Sequence, residues 1–163
     1  MAMPVHPRSG TTPAPAVVIR PLAAGDLDAV VAIDAAAHGR ARRDYIERRL
    51  QAARREAGLH VQFGAVDAAV PDGGAGGLLG CLLARVLAGE FGRQRRALRL
   101  ELLGVRAEHR GAGIGRQLHE ALSQWARRHG CTEVLTAADW RQHALLGWFD
   151  AMGFRLASEC VVE

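Results

Sequence analysis

The sequence predicts a single mixed α/β domain with its elements in the order β-α-α-β-β-β-α-β-α-β. Three observations carry that reading. The chain has 163 residues, the length of one ordinary domain, and 49% of them are hydrophobic, enough for a sizeable core. Short apolar or β-branched runs alternate with segments whose apolar residues recur at helical spacing. A glycine-rich stretch, "RGAGIG" (110–115), joins a strand to an amphipathic helix.

The elements follow in order. "VVIRPL" (17–22) is β-branched and reads as a first strand. Asp26 is placed to cap a helix, "DLDAVVAIDAAA", whose apolar face holds Leu27, Val30, Val31 and Ile33. "HGRARRDYIERRLQAARREAG" reads as a loop and a second helix, with Tyr45, Ile46, Leu50 and Ala53 as its buried stripe and Gly58 as its stop. "LHVQFGAV" (59–66) is a strand, and the Pro/Gly-rich segment 67–77 a turn. "LLGCLLARVL" (78–87) is almost wholly apolar, as a strand covered on both faces should be. "ALRLELLGV" (97–105) is the fourth strand. Strict alternation puts Arg99, Glu101 and Leu103 on one face and Leu98, Leu100 and Leu102 on the other. Past the glycines, Ile114, Leu118, Leu122 and Trp125 trace a helix that ends at Gly130. Strand 131–138, helix 141–152 stopped by Gly153, and a last strand from Phe154 complete the domain, residues 17–163. Residues 1–16 are rich in Pro, Ser, Thr and Gly and are expected to form a disordered tail.

Composition narrows the function. No apolar run approaches a membrane span, and the N-terminus lacks the apolar core of a secretory signal. Cys81, Cys131 and Cys160 are odd in number and lack metal spacing; they read as free thiols of a cytoplasmic protein, and no metal site is expected. The net charge is +4, the pI is near 9.7, and every basic residue is arginine. There is no basic run interleaved with aromatics, so a nucleic-acid partner is not favoured.

The glycine segment points to an anion. A strand feeding a glycine-rich turn and a helix gathers free N–H groups at the positive helix end, a natural phosphate cradle. No Ser, Thr, Asp or Asn stands at the N-cap, and Arg110 and Arg116 flank the loop. A dinucleotide fingerprint would need a third glycine where Arg116 stands, and a P-loop needs a lysine. What remains is Arg-x-x-Gly-x-Gly, from Arg110 through Gly113 to Gly115.

"LLGVRAEHRGAGIGRQLHEAL" resembles the acetyl-coenzyme A motif of the GCN5-related N-acetyltransferases, and the strand order is similar to that family's along the whole domain. "QHALLGWFDAMGF" resembles the family's later block, with Leu145, Trp148 and Phe149 at its hydrophobic positions. "GEFG" (89–92) and "DW" (139–140) resemble a bacterial subgroup. The resemblance implies an acetyl-CoA-dependent N-acetyltransferase acting on a primary amine by direct attack in a ternary complex. The main-chain N–H groups of Arg110, Gly111, Ala112, Gly113, Ile114 and Gly115, with Arg116 beside them, would hold the coenzyme pyrophosphate. Leu103, Gly104 and Val105 would pair with the pantetheine, and the Val105 N–H would stabilise the oxyanion. Phe149 would contact the coenzyme; it stands where the family often has a proton-donating tyrosine.

Acetyl transfer needs a neutral amine, although free alkyl amines titrate near pH 10.4. Glu101, on an otherwise apolar strand, is the first candidate base; a structural or substrate-binding carboxylate paired with Arg99 or Arg85 is the other reading. Asp139 is the runner-up, because a glutamate position familiar in protein-acetylating relatives is occupied by Ala137. Glu90, Trp140 and Tyr45, the only tyrosine, are candidate acceptor-side residues. Two alternatives remain open at this stage: a non-catalytic acyl-CoA sensor, and acetylation of aminoacyl-tRNA. A homodimer is compatible with the sequence.

Overall fold

The computed structural model describes residues 16–70, 77–87, 95–138 and 141–156. Its elements are β1 (Val17–Pro21), α1 (Leu27–His38), α2 (Arg43–Arg55), β2 (His60–Asp67), β3 (Leu78–Leu87), β4 (Ala97–Val105), α3 (Ile114–Arg128), β5 (Glu133–Leu135) and α4 (His143–Ala151). The five strands form one sheet in the order β1-β2-β3-β4-β5. The first four are antiparallel neighbours; β5 returns parallel to β4 after the α3 crossover. Of the expected last strand, residues 154–156 are described and are not in a strand, while 157–163, with Cys160, and Glu90, Asp139 and Trp140 lie outside the described residues.

Two cores sandwich the sheet. On one face α1 and α2 bury Val30, Ile33, Ile46 and Leu50 against Leu78, Cys81, Leu83 and Leu102. On the other, α3 buries Ile114, Leu118, Leu122 and Ala126 against Leu82, Ala84, Leu98 and Leu100, with Phe149 of α4 in the same cluster. The α3 residues are spaced four apart, which keeps them on one helical face. Its three large aliphatics contribute about 1.5–3 kcal/mol each by burial. β3 feeds both cores, as its apolar run predicts.

Three local expectations are corrected. Asp26 stands at the N-cap of α1, but its side chain makes no capping bond to that helix. It closes the short turn Ala24–Asp26 by accepting from the Ala23 N–H at 2.7 Å and from Arg20 at 2.7 and 2.9 Å. Gly58 does not stop α2, which ends at Arg55; among the described residues the left-handed glycines are Gly39, Gly111, Gly113, Gly130 and Gly153. Strand five is only Glu133–Leu135, because the chain parts from β4 beyond that point.

The alternation along β4 is also broken. Leu83 pairs with Leu102 and Ala84 with Leu100, so Glu101 is an extra residue opposite β3. Such a bulge shifts the side-chain phase. Leu98 and Leu100 face α3 and Leu102 faces α1, while Leu103 and Val105 pack with the α3 core. Leu103 therefore does not share a face with Glu101, nor Leu102 with Leu100.

Candidate active site

The site begins where the sheet comes apart. β4 pairs with β5 only over Ala97–Arg99, yet it continues to Val105. At the fork the Thr136 hydroxyl donates to the Leu100 carbonyl at 3.3 Å. On the other side the Arg106 N–H donates to the Leu79 carbonyl at 2.9 Å, in register with the Gly104–Cys81 and Val105–Gly80 pairs. Antiparallel strands alternate bonded and non-bonded pairs, so Leu103 and Val105 turn their N–H and C=O groups away from β3, into the gap. Among the described residues, β4 thus offers an open strand edge beyond Arg99, with Arg110 Nε donating to the Val105 carbonyl at 3.4 Å.

The gap leads to the glycine loop. Gly111 and Gly113 both have φ +81°, a conformation costly for any residue with a Cβ. Gly113 is the N-cap of α3 and no side chain caps the helix. A Cβ on either glycine would meet nothing within 4 Å, so open space lies in front of the loop. Among the described residues, no group accepts a bond from the main-chain N–H of Gly111, Ala112 or Gly113. Uncapped donors at a helix N-terminus beside unfilled space suit a phosphate, and the exposed Arg110 and Arg116 lie next to them.

Ile114 and Gly115 do a different job. The Ile114 side chain is 1% exposed and fixes the helix start against β3: a Cβ on Gly80 would lie 3.1 Å from its Cγ2. A Cβ on Gly115 would meet the Trp148 indole at 3.4 Å, so this position packs against α4. Behind it, Phe149 packs edge-on to Trp148 and Phe154, with ring centroids 5.4 and 4.9 Å away. Phe149 is buried and carries no hydroxyl, so it moves no proton.

On the opposite face of β4, the bulge turns Glu101 toward α2. Its Oε1 accepts from Arg49 Nη2 and from Arg85 Nε, the latter at 3.1 Å. Arg85 is the partner the sequence names; Arg49 is not, since it stands 52 residues away in the chain. Arg49 also stacks on Tyr45 at 5.7 Å, and Arg42 approaches the same ring at 5.1 Å. Arg42 grips the fully buried Asp34 with two bonds, of 2.9 and 2.5 Å, which ties the α1–α2 connection to α1. Tyr45 and Glu101 are therefore brought together through Arg49. The only advance signal for Arg49 was its spacing, one turn after Tyr45 on the same helix.

Burial and the nearby Asp34 push the Cys81 thiol up to about 12, which removes it as a nucleophile. Among the described residues, no group of His, Cys, Asp and Glu could hold a metal, and no helix is long and apolar enough to cross a membrane. A cavity of about 340 Å³ lies on the β1 side of α2, lined by Leu50, Arg54, His60, Phe63 and Trp125 among others; it does not include Glu101.

The model of the acetyltransferase (GNAT) family matches residues 28–154. The chain belongs to this family. N-acetyltransferase family 8 member 3 of Rattus norvegicus is 38% identical over 66 residues, 40% of this chain and 29% of that protein, so the chain spans under a third of that relative's length. An acetyltransferase from Trypanosoma brucei superposes with a TM-score of 0.68 at 19% identity, covering 91% of this chain and 99% of that one. The NatC complex bound to Gag peptide and CoA gives 0.67 at 20% identity, over 83% and 82%. At such identities the structures share the fold.

Proposed function

We propose that this chain transfers the acetyl group of acetyl-CoA to a primary amine by direct attack. One observation carries the reading: the open β4 edge runs straight into an uncapped, glycine-lined helix N-terminus. That combination suits a long ligand with an amide-bearing arm and a pyrophosphate. The structural neighbour solved with CoA supports the same choice of ligand.

When bound, the coenzyme supplies an activated thioester. The Arg110 N–H already donates to the Ala107 carbonyl at 3.3 Å, so the N–H groups from Gly111 to Gly115 hold its pyrophosphate, with the Arg110 and Arg116 side chains beside them, and Leu103, Gly104 and Val105 pair with its amides. The Val105 N–H points into the gap and donates to the negative charge that develops on the acetyl oxygen. Glu101, at the fork on the α2 face, accepts a hydrogen bond from the amine and takes its proton, directly or through one water. Arg49 and Arg85 fix the carboxylate. The amine nitrogen bonds to the carbonyl carbon as the carbon–sulfur bond breaks. With Phe149 in place of an acid, the sulfur leaves as thiolate, tolerable for a thiol of pKa about 8.5. Asp139 is the alternative proton acceptor.

Release of free thiol from acetyl-CoA across a panel of amines tests the reading. Turnover is expected, and Glu101→Gln is expected to lower it by about 100-fold or more while altering its alkaline rise with pH. Coenzyme binding with no thiol release for any amine would reduce the protein to an acyl-CoA-binding domain. An unchanged pH profile in Glu101→Gln would move the proton acceptor to Asp139 or water.

A further inference from the structure

The α2 face beside Glu101 gathers several basic side chains from separate strands and from α2. His60 pairs with Arg85, and Arg85 with Arg99, so the three side chains stand in one row across β2, β3 and β4. Gln62, two residues on from His60, donates to the Arg49 carbonyl at 2.7 Å, which sets this row on the α2 face. Arg49 enters the same space from above. Arg49 and Arg85 thus hold Glu101, and Arg99 stands on the same face, two residues before it along β4. The imidazole of His60 reports the field: burial first, then Arg49 and Arg85, push it below the ordinary histidine range, against the pull of Glu56.

A second observation points to a missing partner. Arg49 Nε is buried and has no hydrogen-bond partner among the described residues, although Nη2 of the same group is on Glu101. Buried donors are almost always satisfied, and a guanidinium presents Nε and Nη as a fork that fits an oxyanion. Arg99 is exposed on the same face and free to supply the other side of such a grip. It lies two residues before Glu101, about 7 Å along a strand.

We infer that the acceptor amine carries its own oxyanion, a carboxylate or phosphate, held by Arg49 and Arg99 while its amino group faces Glu101. This rests on the acetyl-transfer reading above. The separation of Arg99 from Glu101 suits a short ω-amino acid or an aminoalkyl phosphate, and the positive row repels polyamines and lysine-rich peptides.

Matched acceptors test it at saturating acetyl-CoA: 4-aminobutanoate against 4-aminobutanamide, phosphoethanolamine against ethanolamine, and spermidine as the cationic case. The acidic member of at least one pair is expected to exceed its neutral partner in kcat/KM by about tenfold or more, as a charge-assisted pair implies. Which pair shows the larger ratio separates carboxylate from phosphate. Arg99→Gln, an exposed change, is expected to erase most of that ratio through KM of the acceptor, leaving KM for acetyl-CoA unchanged. Arg49→Lys is expected to reduce the ratio although the charge is kept, because the fork is lost. Equal use of acidic and neutral amines, preference for spermidine, or a ratio unmoved in both variants overturns the inference while acetyl transfer stands. If no acceptor turns over, calorimetric titration of the same pairs into CoA-loaded protein decides: an acidic member that binds no tighter than its neutral partner overturns it. Failure of CoA to bind at all overturns the acetyl-transfer reading and this one with it.

Discussion

Replacing Gly113 by aspartate should separate the coenzyme site from the fold. Gly113 caps α3 at φ +81°, and a side chain there would project into open space. The left-handed conformation costs a non-glycine residue about 1–2 kcal/mol. A carboxylate at a helix N-terminus returns about 0.3–1 kcal/mol through the helix dipole. The net loss is about 1 kcal/mol, which lowers Tm by about 2–4 °C in a domain of this size. Binding is affected far more. A carboxylate about 4 Å from one phosphate charge is repelled by about 4 kcal/mol at an effective dielectric of 20. Even half of that, after screening, weakens coenzyme binding by about 30-fold. Calorimetric titration of CoA, beside thermal unfolding, measures both quantities. Gly113→Ala supplies the control, since it carries the backbone strain without the charge. A folded Gly113→Asp protein that binds CoA within about threefold of wild type would refute the phosphate assignment.

Other perturbations test the scaffold. Gly104→Ala places a Cβ 2.4 Å from Ile33 Cγ2, so α1 must shift; a loss of about 1–3 kcal/mol is expected in urea unfolding, with Ile33→Ala in the same chain restoring part of it. Asp34→Asn leaves Arg42 facing a neutral group in a buried pocket and should cost about 3 kcal/mol; a loss under about 1 kcal/mol would show that the pair contributes little. Asp26 answers to pH. Burial pushes its carboxyl up, but the Arg20 bonds and the Ala23 N–H prevail and hold it below the usual range. Its folded pKa is depressed, so its contribution is present above about pH 4 and is lost as pH falls through the folded value. Wild type should therefore lose more stability than Asp26→Asn on acidification below pH 4, and parallel unfolding curves would contradict this.

The sequence by itself determined most of the described elements and the glycine-rich turn that opens α3. Its glycines announce left-handed turns at positions 111, 113, 130 and 153 because few other residues take that conformation cheaply. The apolar run of β3 reports cover on both faces, and the glycines before α3 report a helix start without a side-chain cap, since both are local properties of the chain. Gly115 shows the limit: only the packed structure reveals that this position lies against Trp148 of α4. The acceptor end was decided by tertiary structure. Alternation along β4 assumes unbroken pairing, but the register with β3 inserts Glu101 as an extra residue and reverses the phase beyond it. Nothing in strand 97–105 announces that bulge. The ion pair that gives Glu101 its setting joins residues 52 apart, and the row of His60, Arg85 and Arg99 exists only once three strands are aligned. Periodicity reads what a segment buries; which charges then face each other depends on register, and register is a property of the whole sheet.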